Sequence, residues 1–550
     1  MQDPNRKPRR ADGRNNRSLF RRTIFLLVVL GIGIFFPLVA QLYKLQIVEH
    51  EEWERRAANQ QTKSVSVPAN RGTIYDREGR AMAMSATVYK LILSPMGVYG
   101  AVEKKQYEKD GKLDETAYEK ALYDLRKTIV DGIVDLFGYD EERLWKRIER
   151  IDSGYEVLYF ELEEEDAERA RQLISEKKLS AGLQLTPSSK RYYPFSSVGS
   201  HILGYMGQTK DSGENKVGKA GYEDVLSGEL GRVVTSKNGW GMEMISGYES
   251  YFDAQNGYDV TLTVDERIQA MLEQTLAEGI ETYDVQNGAF GLAIDPQTGA
   301  VLAMASSPDF DPNNWDVLLS EALKDEVEQV KAEEGDDAAD DAWKDAWNRQ
   351  MKNRALTDAY EPGSVFKPIT VSIGLEEGAI SMDDHFYCSG SMTAGPGLKP
   401  THCHKKSGHL DQTLTEAVEN SCNVALMTIA QRIGAETMWK YFEDFGLFDK
   451  TGIDMAGEGG SIFWSGGKEY FTGPYGVQSV ASSSFGQTFA VTPLQMISAF
   501  AAVINGGHLL QPYLVQSVAD QDGNTVFYHE TQEVRQVISE STSDKVRSIL

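Results

Sequence analysis

The chain has 550 residues, 41% of them hydrophobic, with modest glycine and proline contents, which fits a folded globular protein of about three or four domains rather than a disordered one. The formal net charge is −26, but residues 1–22 carry eight basic and two acidic residues, so the remainder holds 48 basic and 80 acidic residues, a net charge of −32. Such an acidic body argues against nucleic acid, or an anionic membrane surface, as its main partner.

The N-terminal region has the pattern of a membrane anchor. After the basic residues 1–22, interpreted as a cytoplasmic tail, residues 23–43 contain no charged side chain. As a helix they would reach roughly 32 Å, which matches the apolar thickness of a bilayer. The basic flank predicts a cytoplasmic N-terminus and an extracellular body, in a single-pass protein of the cell membrane. A cleaved signal peptide is the alternative, but it would have a shorter apolar region and a small-residue cleavage site.

The next part of the chain has structural patterns and no catalytic one. An amphipathic helix is predicted over residues 42–62, and a strand with a turn over residues 69–79. Residues 103–180 are rich in Glu, Lys and Arg at helical spacing and predict a solvated helical surface. Residues 191–207 return to strands and turns, and His201 among them is interpreted as a hydrogen-bonded structural histidine because no nucleophile pattern surrounds it.

From residue 256 the pattern becomes that of an α+β domain, with helices gathered on an antiparallel sheet. A strand is predicted over residues 259–264, and Asp265 is predicted to cap the helix that follows it. The segments 289–295 and 300–305 flank a Pro-Gln-Thr-Gly turn and predict a hairpin. The acidic, alanine-rich residues 319–347 are interpreted as a helical insertion at the surface.

A candidate nucleophile lies in the segment Tyr360-Glu-Pro-Gly-Ser-Val-Phe-Lys-Pro-Ile-Thr-Val371. The Pro-Gly turn and the apolar residues after it predict the start of a buried helix, with Ser364 at its first turn. Lys367 lies three residues later, on the same helical face. A partly desolvated lysine loses proton affinity and can accept the serine proton. The same spacing occurs at Ser175 and Lys178 within a charged helical stretch, so the spacing alone is weak evidence.

A second pair of polar residues, Ser421 and Asn423, lies on a short predicted turn between two helical stretches. Both side chains can face one cleft from such a turn. A serine there can relay a proton to a leaving group, and an asparagine amide can hold a peptide carbonyl and the lysine ammonium.

Together these motifs resemble those of the class B penicillin-binding proteins. Ser364-Val-Phe-Lys367 is similar to the first box, and Ser421-Cys-Asn423 to the second box, of the penicillin-recognising serine enzymes. The resemblance extends over most of residues 65–510. It implies an elongated non-catalytic pedestal or dimerisation domain over residues 44–255 and a serine transpeptidase domain over residues 256–550.

The resemblance implies a D,D-transpeptidase of peptidoglycan that binds penicillin and other β-lactams. Ser364 would attack the penultimate carbonyl of a stem peptide ending in D-Ala-D-Ala, and an amine of a neighbouring strand would take the acyl group. Lys367, Ser421 and Asn423 would complete the catalytic set, with no cofactor and no metal. The resemblance also implies a lipid-linked glycan polymerase of the division or spore-wall machinery as a partner.

Two other functions stay open on the residues alone. A D,D-carboxypeptidase or β-lactamase would use the same nucleophile, but it needs a positioned water, and no glutamate motif for that purpose is recognisable. A catalytically silent scaffold of the division complex is the alternative from another class of protein.

The family's third box, Lys-Thr/Ser-Gly on a late strand, is expected beyond Leu550. Lys406-Ser-Gly408 precedes the second box, and Lys450-Thr-Gly452 falls in a predicted loop about 30 residues after it, so neither is assigned this role. The last residues are interpreted as an N-capped helix that begins at Ser539.

The three cysteines are Cys388, Cys403 and Cys422. A disulfide between Cys388 and Cys403 would close a loop of 14 residues and would add about 3 kcal/mol to the free energy of unfolding. A metal site with the nearby residues His402, His404 and His409 is the competing hypothesis, but the spacing is a poor zinc pattern. Oxidation of Cys422, within the second box, is expected to disturb its turn and reduce acylation.

Overall fold

The computed structural model describes residues 14–49, 62–67, 71–109, 111–208, 216–218, 231–236, 250–252 and 256–550. The chain divides into two compact units. The first combines Met1–Val67 with Leu230–Ala254, and the second combines Pro68–Glu229 with Gln255–Leu550. The boundary at residues 255 and 256 stays a prediction.

The first unit contains a long helix and a small sheet. The helix Arg14–Tyr43 continues into the short π-helix Lys44–Val48, and the strand Thr62–Val67 pairs in an antiparallel sheet with Gly231–Ser236, which pairs with Ser250–Phe252. The prediction of a helix over residues 42–62 was therefore wrong at residue 62, where a strand begins. Residues 50–61 of this predicted helix lie outside the described residues. Among the described helices, none combines the length and the apolar character that a membrane span requires. The span over residues 23–43 stays a prediction.

The second unit is a mixture of helices and strands, which confirms the α+β class. Its α-helices are Pro95–Ala101, Glu115–Phe137, Glu141–Ile148, Glu164–Glu176, Ser200–Leu203, Glu266–Tyr283, Glu321–Glu334, Asp336–Met351, Arg354–Thr357, Lys367–Glu376, Leu414–Glu419, Asn423–Ile433, Ala435–Asp444, Gly467–Thr472, Val477–Ser483, Pro493–Ile504 and Glu540–Ile549. Short 3-10 helices occur at Lys104–Tyr107, Pro312–Asn314 and Gly363–Phe366.

A seven-stranded sheet runs through this unit. Six strands follow the order Thr525–Tyr528, Val515–Ala519, Asp259–Leu262, Ile74–Tyr75, Ala81–Leu93 and Glu156–Leu162, and Leu183–Tyr192 also pairs with Ala81–Leu93. All pairs are antiparallel except that of Asp259–Leu262 with Ile74–Tyr75. The sheet therefore joins segments from both ends of the unit.

The remaining strands form two-stranded ladders, all of them antiparallel. The pairs are Ala289–Ile294 with Val301–Ser307, His385–Cys388 with Leu410–Thr413, Ser391–Met392 with Thr401–His402, His508–Leu510 with Glu533–Gln536, Glu108–Lys109 with Lys112–Leu113, and Met206–Gln208 with Lys216–Gly218. The first pair confirms the predicted hairpin. The Asp265 carboxylate accepts a hydrogen bond from the Arg267 amide at the start of Glu266–Tyr283, which confirms the predicted cap.

The charged stretch 103–180 packs around a core of its own, so its interpretation as a solvated surface was incomplete. Ile129, Ile133 and Leu144 are fully buried there. The strand Glu156–Leu162 interrupts the helices because Val-Leu-Tyr-Phe favours a strand despite its charged neighbours. These helices therefore bury one face against the sheet rather than being solvated all round.

The largest core surrounds the helix Lys367–Glu376, which is buried along almost its whole length. Phe366 lies at the base of this helix, with its ring centroid 5.1 Å from that of Phe489 and 5.8 Å from that of Phe442. At the other end the Glu376 carboxylate accepts hydrogen bonds from the Ser539 amide and hydroxyl, and Ser539 caps Glu540–Ile549 as predicted. The helix that carries the candidate nucleophile is thus held at both ends.

The helical insertion predicted at the surface is present in modified form. The insertion is a pair of helices, Glu321–Glu334 and Asp336–Met351, separated by Gly335 with a φ of +96°. It therefore ends four residues later than predicted.

His201 has the structural role predicted for it. The residue is buried, and its Nε2 lies 2.9 Å from the Gln350 carbonyl oxygen. Burial lowers the pKa of His201 to about 4, so this histidine is neutral and structural.

Candidate active site

The candidate nucleophile Ser364 lies in the 3-10 turn Gly363–Phe366, and its side chain is exposed to solvent. The Gly363 amide donates a hydrogen bond of 2.8 Å to the Gly486 carbonyl, and Tyr360 and Val491 exchange two backbone hydrogen bonds of 3.0 Å. A Cβ at Gly486, where φ is +77°, would lie 2.2 Å from the Gly363 carbonyl oxygen. Only glycine therefore allows this close approach, which fixes the turn in front of the buried helix.

Lys367 begins the helix, and its side chain is 2% exposed. Its Nζ donates three hydrogen bonds: 2.7 Å to the Ser421 carbonyl oxygen, 2.7 Å to the Ser421 Oγ and 2.9 Å to the Asn423 Oδ1. A lysine ammonium has three donors, so all of them are satisfied by this one turn.

Ser421 connects the other two groups. Its Oγ accepts from Lys367 and donates a hydrogen bond of 2.9 Å to the Ser364 Oγ. Ser421 has a φ of +47°, a left-handed conformation that is uncommon for a residue other than glycine and is often found at functional sites. The four predicted residues Ser364, Lys367, Ser421 and Asn423 therefore lie in one continuous hydrogen-bonded cluster, hereafter the catalytic cluster.

The electrostatics of the catalytic cluster favour a base. Burial lowers the pKa of Lys367 from its usual range near 10.5 to about 8, although the nearby sulfurs of Cys403 and Cys422 act in the opposite direction. An amine with this pKa is partly neutral near pH 7, so it can accept a proton. The sequence predicted direct transfer from Ser364 to Lys367, whereas the hydrogen bonds run through the Ser421 hydroxyl.

The competing sequence matches have different surroundings. Ser175 and Lys178 are both exposed, and Lys178 lies beyond the end of the helix Glu164–Glu176. Lys406-Ser-Gly408 and Lys450-Thr-Gly452 lie in loops rather than on strands, which is consistent with their rejection.

The three cysteines lie close together. All three are buried and free, so the Cys388–Cys403 disulfide, one of the two arrangements that the sequence left open, is not formed. The Cys403 Sγ lies 4.0 Å from the Cys422 Sγ and 3.7 Å from the His409 Nδ1. Local spacing could not reveal this arrangement because its members come from separate segments.

Two models of known protein families match this chain. Residues 289–550 match the family model of the penicillin binding protein transpeptidase domain, and residues 66–262 match that of the penicillin-binding protein dimerisation domain. The catalytic cluster lies within the first of these matches.

Similar proteins cover nearly the whole chain. Stage V sporulation protein D of Bacillus subtilis (strain 168) is 29% identical over 541 residues, which are 98% of this chain and 73% of that protein. Peptidoglycan D,D-transpeptidase MrdA of Escherichia coli (strain K12) is 26% identical over 527 residues, which are 91% of this chain and 74% of that protein. The crystal structure of penicillin binding protein 2X from Streptococcus thermophilus has the same fold, with a TM-score of 0.64, 20% identity, and coverage of 88% of this chain and 66% of that one.

Proposed function

Because the chain belongs to the class B penicillin-binding proteins, we propose that Ser364 is the nucleophile with which it forms an acyl-enzyme, and that Lys367, Ser421 and Asn423 assist it. The chain is a penicillin-binding serine D,D-transpeptidase that crosslinks peptidoglycan. The observation that carries the assignment of roles is the Ser421 hydroxyl, 2.9 Å from the Ser364 Oγ and 2.7 Å from the Lys367 Nζ.

The first half-reaction follows from these contacts. When Lys367 is neutral, these hydrogen bonds run in the opposite direction, from Ser364 to Ser421 and from Ser421 to the Lys367 Nζ. Lys367 then accepts a proton from the Ser421 hydroxyl, which accepts the proton of Ser364 as its oxygen attacks the penultimate D-Ala carbonyl. The bond to the terminal D-Ala breaks, and the proton returns through Ser421 to the leaving amine. The products are free D-Ala and an ester on Ser364.

The second half-reaction reverses the proton movement. The amine of a neighbouring stem peptide attacks the ester carbonyl, and the catalytic cluster takes its proton as Ser364 is released. The Asn423 Oδ1 accepts a hydrogen bond from Lys367, and its Nδ2 lies 3.4 Å from the His402 carbonyl oxygen, so both ends of this amide are held in place beside Lys367. From that position it can orient the peptide backbone of a substrate.

A competition between acceptors tests this function. The full-length protein is acylated by a stem-peptide thioester and given a D-amino acid acceptor in water. We expect the exchange product to form at least about tenfold faster than the hydrolysis product, because the amine is the stronger nucleophile and the sequence has no recognisable glutamate motif for positioning a water. Faster hydrolysis would favour a carboxypeptidase, and the absence of an acyl-enzyme would favour a scaffold.

We also propose that residues 23–43 anchor the protein in the cell membrane, with residues 1–22 in the cytoplasm and the catalytic body outside. The uncharged run of 21 residues after eight basic residues supports this proposal. The full-length protein should remain in the membrane pellet after an alkaline carbonate wash. A variant without residues 23–43 should be released and still react with penicillin. Release of the unaltered protein by the wash would contradict the anchor.

The partner proposed for this enzyme is a lipid-linked glycan polymerase, since crosslinking needs newly made glycan strands. The similarity to a protein named for stage V of sporulation supports a role in sporulation, and the similarity to proteins named for D,D-transpeptidase activity fits wall synthesis more generally. Purification from mildly solubilised membranes should bring a glycan polymerase with it; a preparation that is pure and monomeric would argue against the complex.

A further inference from the structure

Three cysteines and one histidine lie close together next to the catalytic cluster. Cys388 ends the strand His385–Cys388, Cys403 follows Thr401–His402, His409 precedes Leu410–Thr413, and Cys422 lies between Ser421 and Asn423. One potential ligand atom from each residue lies within 4.8 Å of those of the other three. All three thiols are buried. Four chain segments thus bring soft ligand atoms to one point.

The distances fit a tetrahedral metal ion better than a disulfide. With metal–sulfur distances of about 2.3 Å and metal–nitrogen distances of about 2.0–2.1 Å, tetrahedral zinc separates its ligand atoms by about 3.5–3.8 Å. The two distances from the Cys403 Sγ are 3.7 Å to the His409 Nδ1 and 4.0 Å to the Cys422 Sγ. A disulfide would require the sulfurs to be about 2.05 Å apart. An ion between the four groups needs only small shifts.

The backbone around these residues is tightly fixed. The Cys403 amide donates a hydrogen bond of 2.9 Å to the Gly390 carbonyl. A Cβ at Gly390 would lie 2.1 Å from the Lys406 carbonyl oxygen, and one at Gly408 would lie 2.2 Å from the Cys388 carbonyl oxygen. Both glycines have positive φ angles, +96° and +78°. The two loops therefore cross with no space between them, which holds the ligand-bearing segments in place.

Backbone N–H groups of Lys405 and Asn423 are directed at the Cys403 sulfur. A metal ion bound among the three buried cysteines would stabilise their thiolate forms.

We propose that Cys388, Cys403, His409 and Cys422 bind one Zn²⁺ ion in tetrahedral geometry. Three thiolates and one neutral imidazole are a ligand set that zinc prefers in structural sites. Binding releases the three thiol protons, and the Zn²⁺ with its three thiolates has a net charge of −1. The ion joins the loop region 388–413 to Cys422 and thereby holds Ser421 between Ser364 and Lys367. Cys422 is a positioning residue in this scheme.

Metal analysis of the full-length protein tests the proposal. Protein purified under reducing conditions from zinc-supplemented cells should contain about one zinc per chain. After exchange with Co²⁺ it should show the visible absorption of a tetrahedral cobalt–thiolate site. Cys388→Ser and His409→Ala should each weaken zinc binding by about tenfold or more. The control His385→Ala, an exposed histidine paired with Asp411 in the same region, should keep the zinc.

Other measurements distinguish a failure of the zinc proposal from a failure of the proposed transpeptidase function. Ser364→Ala should lose acylation and keep its zinc, whereas removal of zinc from the unaltered protein by a chelator should slow acylation and lower the melting temperature. A folded protein with only traces of zinc and no cobalt spectrum would overturn the proposal. So would a Cys403–Cys422 disulfide found by mass spectrometry in the same reduced preparation, or equal zinc binding by Cys388→Ser.

Discussion

Replacement of Ser364 by alanine should abolish covalent labelling by a fluorescent penicillin, with a fall in acylation rate on the order of 10⁴-fold or more. The reason is that the hydroxyl is the atom that forms the ester, and no other group of the catalytic cluster can replace it. The side chain is exposed in a turn that backbone hydrogen bonds hold in place, so the melting temperature should change little.

The chain provides a matched control for this experiment. Ser175 has the same spacing to a lysine, but it lies on an exposed helix end. Ser175→Ala should leave labelling unchanged. Mass spectrometry of the labelled, digested protein should find the adduct on the peptide that contains Ser364. Labelling that survives Ser364→Ala at even a tenth of the normal rate would contradict the assignment.

The pH dependence of acylation should report the protonation of Lys367. Its pKa is lowered to about 8, so the neutral, active form makes up about a tenth of the protein at pH 7 and about nine tenths at pH 9. The acylation rate should therefore rise about tenfold over this interval and then level off. A lysine of ordinary pKa would instead give a rate that still increases above pH 10.

Lys367→Arg separates the charge of this residue from its role as a base. Arginine keeps a positive charge beside Ser421 and Asn423 but does not lose its proton in this pH range. We expect acylation to fall by about 10²- to 10⁴-fold and its dependence on pH to flatten. Lys178→Arg, an exposed control, should behave like the unaltered protein. An unchanged pH profile in Lys367→Arg would show that another group accepts the proton.

The sequence was informative where a feature depends on neighbouring residues. The Asp265 and Ser539 caps, the hairpin after residue 289 and the spacing of Ser364 and Lys367 are all local patterns, and the structure contains each of them. The convergence of Ser364, Lys367, Ser421 and Asn423 was predicted through the resemblance to a family rather than from spacing alone.

Features that depend on distant residues were missed. The strand Glu156–Leu162 was not predicted, because charged residues surround it in the sequence. Its conformation depends on its pairing with Ala81–Leu93, which is distant in sequence. The position of the Ser421 hydroxyl between Ser364 and Lys367 depends on how two helices pack. The approach of Cys388 and Cys422 to Cys403 and His409 depends on loops that cross through glycines, which no local metal-binding motif encodes.

The order of the strands in the seven-stranded sheet affects how the chain folds during its synthesis. Asp259–Leu262 pairs on one side with Ile74–Tyr75 and on the other with Val515–Ala519, and the Thr263 hydroxyl reaches the Tyr513 carbonyl across 250 residues. Contacts between such distant residues slow folding because long loops must close before any contact forms. During synthesis, the edge of Asp259–Leu262 that pairs with Val515–Ala519 therefore has no partner until residue 519 has been made. An unpaired strand edge of this kind favours aggregation of the incomplete chain.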